Sequence, residues 1–305
     1  MARRLIWIRA LFFLIFFIEF YAPIPAEAFL INEWEPLTLA SKPTEPTPNP
    51  ATPGSSWQES KSGMNFLWIK EGCFKMGSPP KIQDRDSDEG PVHEVCLPGF
   101  WLASTEITQE QWRLILREIP ANWPAGRLGE HYPVTNVSIT EIETLLDKLN
   151  QSYAGQLFFR LPTEAEWEYA CRDGGMMVSF PNNAFPNTIG WNVQNSAGAS
   201  HPVATRAPSR LGLFDMSGNV WEWTQDLYQR DAYATHARTS PSQAGTGLYR
   251  VIRGGGWDSP TDALRCANRG FELLTKKRPN LGLRLAIQVD HKKSEERPKL
   301  KDLPF

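Results

Sequence analysis

Apolar positions recur at helical spacing in only three short stretches of the chain. Thr108-Gln109-Glu110-Gln111-Trp112-Arg113-Leu114-Ile115-Leu116 opens on Thr with Gln three residues later, a capping box that satisfies two otherwise orphaned N–H groups. Thr163-Glu164-Ala165-Glu166-Trp167-Glu168-Tyr169-Ala170-Cys171 starts the same way after Leu161-Pro162, and Trp167 and Cys171 fall on one face. A third helix is predicted from Thr140 to Asn150. Short apolar runs predict strands over 66–70, 73–76, 92–97, 157–160, 249–253 and 283–289. Between them lie long stretches rich in Pro and Gly. This pattern predicts a loop-rich α+β domain rather than a bundle or a βαβ repeat. No internal repeat is visible.

The ends of the chain read differently. Residues 1–28 carry the marks of a secretory signal: Arg3, Arg4 and Arg9, an apolar run from Leu11 to Ile18, and Ala26-Glu27-Ala28 as a cleavage site. The competing reading is an uncleaved membrane anchor, but the run is shorter than the ~20 residues a spanning helix needs. Residues 29–62 form a Pro/Thr/Ser-rich linker, a tether with no packed core. Residues 290–305 are charged, proline-broken and expected to be disordered. The domain is expected over 63–289. A net charge of −2 implies no nucleic-acid partner.

Export into a periplasmic or secreted setting makes disulfides possible. Cys73, Cys96, Cys171 and Cys266 are the four cysteines, and four allow three pairings. Cys73 and Cys96 flank a loop between two strand-like runs, so pairing those strands brings their sulfurs together. Cys171 with Cys266 then follows by elimination.

The densest chemistry lies in Gly212-Leu213-Phe214-Asp215-Met216-Ser217-Gly218-Asn219-Val220-Trp221-Glu222-Trp223. Gly218-Asn219 suits a positive-φ turn. Asp215 and Glu222 are oxygen donors of the kind Ca²⁺ prefers, with backbone carbonyls to complete a shell. The alternative is that Asp215 caps a turn and Glu222 pairs with an arginine. The segment resembles the signature of the formylglycine-generating enzyme family, the sulfatase-modifying factors. Gly72–Ser78, Asp88–Val95, Thr105–Trp112, Tyr132–Ser138, Arg160–Ala170, Arg253–Trp257 and Gly282–Ala286 resemble further motifs of that family, in order. The resemblance implies a loop-rich α+β fold related to C-type lectins. It also implies a structural Ca²⁺ site at Asp215, Gly218, Val220 and Glu222, with Gly218 and Val220 giving carbonyls. A second family Ca²⁺ site draws on Asn192, Val193 and Asn195, where the loop is shortened.

The resemblance breaks at the chemistry. The copper-dependent enzymes carry two cysteines after R-G-G-S, and such thiolates are soft Cu(I) ligands. Here Ser259 stands where the first would be, nothing replaces the second, and Gly256 replaces the serine. Copper is therefore not expected as a cofactor. His93, His131, His201, His236 and His291 are scattered without metal-ligand spacing, and His93 is read as a structural residue tying the Asp88–Pro91 loop. A ligand surface is expected from Trp257, Asp258, Ser259, Arg265, Asn268 and Arg269, together with Arg284. Arginine suits carboxylate or phosphate, and tryptophan offers a stacking face. Arg253 and Arg284 are assigned to the structural frame. The expected role is an exported binding or accessory module for a peptide, glycan, small molecule or envelope protein. The alternative is a non-copper oxidoreductase tailoring a peptide or small molecule in the periplasm. Formylglycine generation on sulfatases ranks last, and contact with a membrane is expected only through an uncleaved signal.

Overall fold

The chain forms β1 (Ser56–Gln58), β2 (Asn65–Ile69), β3 (Gly72–Met76), β4 (His93–Leu97), β5 (Phe100–Ala103), α1 (Gln109–Leu116), α2 (Ile139–Ser152), β6 (Phe158–Arg160), α3 (Glu164–Cys171) and α4 (Pro186–Ile189). It continues with β7 (Trp221–Leu227), β8 (Tyr249–Arg253), β9 (Gly270–Leu273), β10 (Leu281–Gly282) and β11 (Ala286–Gln288). The computed structural model describes residues 54–118, 128–154 and 156–288. The expected signal, most of the linker and the tail 290–305 lie outside the described residues. No described helix is long and apolar enough to cross a membrane.

Strand order is β1-β2-β5-β11-β6 in one sheet and β10-β7-β8-β9 in a second, with β3 and β4 paired separately. The mixed, loop-rich α+β class expected from the sequence is what forms. Phe100-Trp101-Leu102-Ala103 in β5 is buried on both faces. Trp101 and Ala103 join a core with Trp112 of α1 and Ile142 and Leu145 of α2. Phe100 and Leu102 join another with Phe74, Val95, Trp167 and Met216. The sheet is thus the partition between two cores. The capping boxes form: Thr108 Oγ1 accepts from Gln111 N at 3.2 Å and Thr163 Oγ1 from Glu166 N at 3.1 Å.

Two boundaries differ from the sequence reading. The linker ends before residue 56, because β1 pairs with β2 and Trp57 packs on the core. Glu59, fully buried, accepts from Tyr153 Oη at 2.6 Å. The strand expected over 283–289 shortens to β11, which pairs with β5 and β6, while β10 just before it runs parallel to β7 in the other sheet. The chain changes sheets there so that Arg284 can turn inward to Glu222. Both disulfides are present, Cys73–Cys96 and Cys171–Cys266.

Candidate functional site

The signature turn is built by close approach. Gly218 has φ 120°, and a Cβ there would stand 2.4 Å from Trp191 O. A Cβ on Gly190 would fall 1.5 Å from Ser217 O. Only glycine lets these two loops touch. Asn219 follows at φ 64°, a left-handed position that Asn tolerates.

Asn219 is the junction of the surrounding loops. Its N–H donates to Trp191 O at 2.8 Å, and its carbonyl accepts from Trp257 N at 2.7 Å. Its Oδ1 accepts from His201 N at 2.9 Å, and its Nδ2 donates to Glu106 Oε2 at 2.9 Å. Ser196 Oγ then donates to Trp257 O at 2.8 Å, and Val193 N to Ser259 O at 3.1 Å. The backbone and side chain of one buried asparagine thus join loop 191–206 to loop 256–259.

Partly exposed aromatic and charged groups sit on those loops. Trp191 and His201 stack with centroids 3.6 Å apart and planes 9° apart. The Arg206 guanidinium carbon lies 3.6 Å from the Trp191 centroid. Trp257 is half-buried, and exposed Asp258 accepts from Asn280 Nδ2 at 2.8 and 2.9 Å.

The remaining residues expected on a ligand surface are placed elsewhere. Ser259 is buried, its Oγ accepting from Trp221 Nε1 at 3.1 Å and Gly256 N at 2.9 Å. Arg265 grips Glu89 with two bonds of 2.8 Å, and Arg269 grips Glu164 at 2.7 and 3.0 Å. Asn268 is buried and donates to Asp86 at 3.1 Å. These three and Ser259 are framework, because a buried arginine without a counter-charge would be strongly unfavourable. Arg253 and Arg284 are framework too, both fully buried, Arg284 held by Glu222 at 2.7 Å through each oxygen.

The expected calcium ligands are partly engaged. Glu222 also accepts from Trp167 Nε1 at 2.7 Å. Asp215 Oδ2 accepts from Ala204 N at 2.8 Å, while its Oδ1 is buried without a partner. Glu106, which the sequence reading missed, is fully buried nearby and accepts from Val220 N at 3.1 Å. Burial first, then the charges of Asp215 and Glu222, push the Glu106 carboxyl well up. Burial likewise raises Asp215 to about 6, with Glu222 adding to it against the pull of the Ala204 N–H and Arg284. Three carboxylates thus face one arginine, although no three His, Cys, Asp or Glu side chains among the described residues are grouped to hold an ion. At the second expected site, Asn192 and Asn195 spend their side-chain oxygens on the N–H groups of Gln194 and Asn192.

The cysteines leave no thiol for copper, since all four are in disulfides. His93 Nδ1 lies 3.0 Å from Pro91 O, and its Nε2 meets His236 Nδ1 at 3.2 Å. The sequence treats these histidines as scattered, and their 143-residue separation hides the contact. A cleft of about 320 Å³ is lined by Phe158, Gln225, Ser240 and Gln288, and its charged residues, Arg160 and Glu166, are bound to each other.

A two-sheet, loop-rich frame locked by buried arginine–carboxylate pairs, with a glycine–asparagine junction under its surface loops, defines the class. Residues 52–289 match the sulfatase-modifying factor enzyme 1-like domain, and the chain belongs to that family. It is 34% identical over 225 residues to the serine/threonine-protein kinase Pkn1 of Chlamydia trachomatis, covering 67% of this chain and 35% of that one. It is 33% identical over 178 residues to the formylglycine-generating enzyme of Streptomyces coelicolor, covering 52% and 54%. The chain thus spans about a third and about half of these two relatives. The structure of PvdO from Pseudomonas aeruginosa shares the fold, with a TM-score of 0.70 at 23% identity over 78% of this chain and 99% of that one.

Proposed function

We propose that the chain is an exported binding or accessory module whose ligand face is the pair of loops 191–206 and 256–259. The Asn219 junction carries this reading: it presents Trp191, His201, Arg206, Trp257 and Asp258 from one rigid support. The disulfide-bonded cysteines leave the thiolate route to Cu(I) without ligands, which argues against formylglycine generation. Aromatic faces beside polar groups suit a glycan or peptide, as in a lectin-like surface.

The test uses Asn219→Gly, which keeps the positive φ and deletes the amide. Hydrogen exchange is expected to rise around His201 in 191–206 but not in α2, nor at Trp257, because the Trp257 N bond to the Asn219 carbonyl is kept. Binding on glycan and peptide arrays is expected to fall with it. Array binding untouched by loosened loops would defeat this reading. Stoichiometric copper or iron, with oxygen consumed on a peptide, would favour the non-copper or copper oxidoreductase alternatives.

We also propose a structural Ca²⁺ held by Asp215 with the Gly218 and Val220 carbonyls, Glu222 being shared with Arg284. The orphaned Asp215 Oδ1 and the excess of buried carboxylates support it. A bound divalent ion would neutralise that excess. Calcium at a hundredfold excess over its Kd is expected to stabilise the wild type by about 2.7 kcal/mol, and Asp215→Asn is expected to be indifferent to it. A wild-type melting temperature unmoved by calcium or chelator would remove the assignment.

A further inference from the structure

We propose that Arg206 anchors an oxyanion-binding subsite on loop 191–206, taking the carboxylate or phosphate group of a small ligand. The inference rests on the proposed two-loop binding face and adds the chemistry that face recognises.

His201 and Arg206 each lie 3.6 Å from Trp191. Two groups cannot share one such gap, so they occupy opposite faces of the indole. The result is a three-layer stack of imidazole, indole and guanidinium. The indole and the imidazole are each fixed independently. Trp191 Nε1 donates to Thr205 Oγ1 at 2.9 Å, and His201 Nε2 meets Ser196 O at 2.8 Å. Arg206 is therefore held by its face.

Its donors are unspent. Arg253, Arg265, Arg269 and Arg284 all use their guanidinium groups on carboxylates. Among the described residues Arg206 has no ion pair and no hydrogen-bond acceptor, and its Nε is buried without one. A guanidinium fixed by stacking keeps its terminal N–H pair in its own plane, clear of the indole, the fork that fits a carboxylate or phosphate edge. Much of its rotamer freedom is already lost, so less remains to be lost on binding.

The loop carrying it is strained. Ala197 and Ala204 adopt φ of 54° and 59°, left-handed values that a Cβ disfavours. Ala204 is held there by its N–H bond to Asp215. Strain of this kind gathers at ligand clamps, and here the two alanines flank His201 on the chain.

The experiment is an NMR titration of the full mature chain, labelled with ¹⁵N and ¹³C, followed through arginine Nε–H and histidine ring signals. Burial of the Arg206 Nε keeps its proton from exchanging, so the signal is observable. Arg206→Gln assigns it by loss. Inorganic phosphate is one probe and N-acetylglutamate the other, separating a phosphate ligand from a carboxylate one. The expected result is a saturable shift of the Arg206 and His201 signals with at least one probe, the other arginines staying still. Affinity read from His201 is expected to drop about tenfold or more in Arg206→Gln, with Arg206→Lys in between.

The inference is overturned if the Arg206 signal ignores both probes into the tens of millimolar. It is equally overturned if all arginine signals drift with ionic strength, or if Arg206→Gln binds as tightly as wild type. Array binding that survives such a result leaves the two-loop face standing and removes only the oxyanion subsite. A saturable Arg206 shift without any array binding keeps the subsite and removes the broader module reading.

Discussion

Replacing Glu164 by glutamine is expected to destabilise the fold by about 3–5 kcal/mol, the range for breaking a buried ion pair from one side. Glu164 accepts from Arg269 and stands 3.2 Å from the Arg253 Nε, with both arginines fully buried at their side chains. Burial alone would raise its carboxyl, but Arg269 and Arg253 together hold it at about 2 against an ordinary 4.5. That displacement corresponds to about 3 kcal/mol, in agreement with the first range. The sign follows from the depressed value. The contribution is fully present above pH 4.5 and fades as pH falls towards 2. Urea unfolding of wild type and Glu164→Gln should therefore differ widely at pH 7 and converge in acid. An equal gap at pH 7 and pH 3 would show that lost packing, not charge, sets the cost.

The second large effect concerns the disulfides. Cys171 and Cys266 are fully buried and 95 positions apart, joining α3 to the loop before β9. Cys73 is exposed, and its bond to Cys96 spans 23 positions. Constraint of the unfolded chain grows with the loop closed, so Cys171→Ala with Cys266→Ala is expected to cost about 2–5 kcal/mol and more than the corresponding Cys73/Cys96 pair. Mild reductant on the folded chain should reach Cys73–Cys96 first. Alkylation and mass spectrometry would read the order, and equal labelling of all four cysteines without unfolding would contradict it.

Features with local causes were legible in the sequence. The Thr-x-x-Gln and Thr-x-x-Glu starts of α1 and α3 need only their own residues, and Tyr249–Arg253 has a strand pattern of its own. β5 was missed because a strand buried on both faces does not alternate. β1 was missed because its pairing partner, not its composition, makes it a strand. Arg265 and Arg269 were misread for a related reason: their carboxylates lie 176 and 105 positions away. An arginine near a loop reads as a ligand contact until its partner is seen. The cysteine pairing was legible because two strand-like runs flanked one loop. The Asn219 junction was visible only as an unusual turn, since its bonds reach Trp191, His201 and Trp257 in other loops.

The glutamates that close three capping boxes, one of them on the 3-10 turn Ser87–Glu89, have a second occupation. Glu89 receives the Asp86 N–H and Arg265, Glu141 receives the Ser138 N–H and Lys277, and Glu166 receives the Thr163 N–H and Arg160. For Glu89 and Glu141, freezing one side chain serves a local bond and a distant one, so its rotamer entropy is lost once for both. A helix start and the packing of a remote segment then gain or lose their support together. Excised as a peptide, α2 would keep Ser138 and Glu141 yet lack Lys277, 136 positions away. Partial unfolding that keeps α2 while releasing the segment before β10 would therefore cost Glu141 its ion pair.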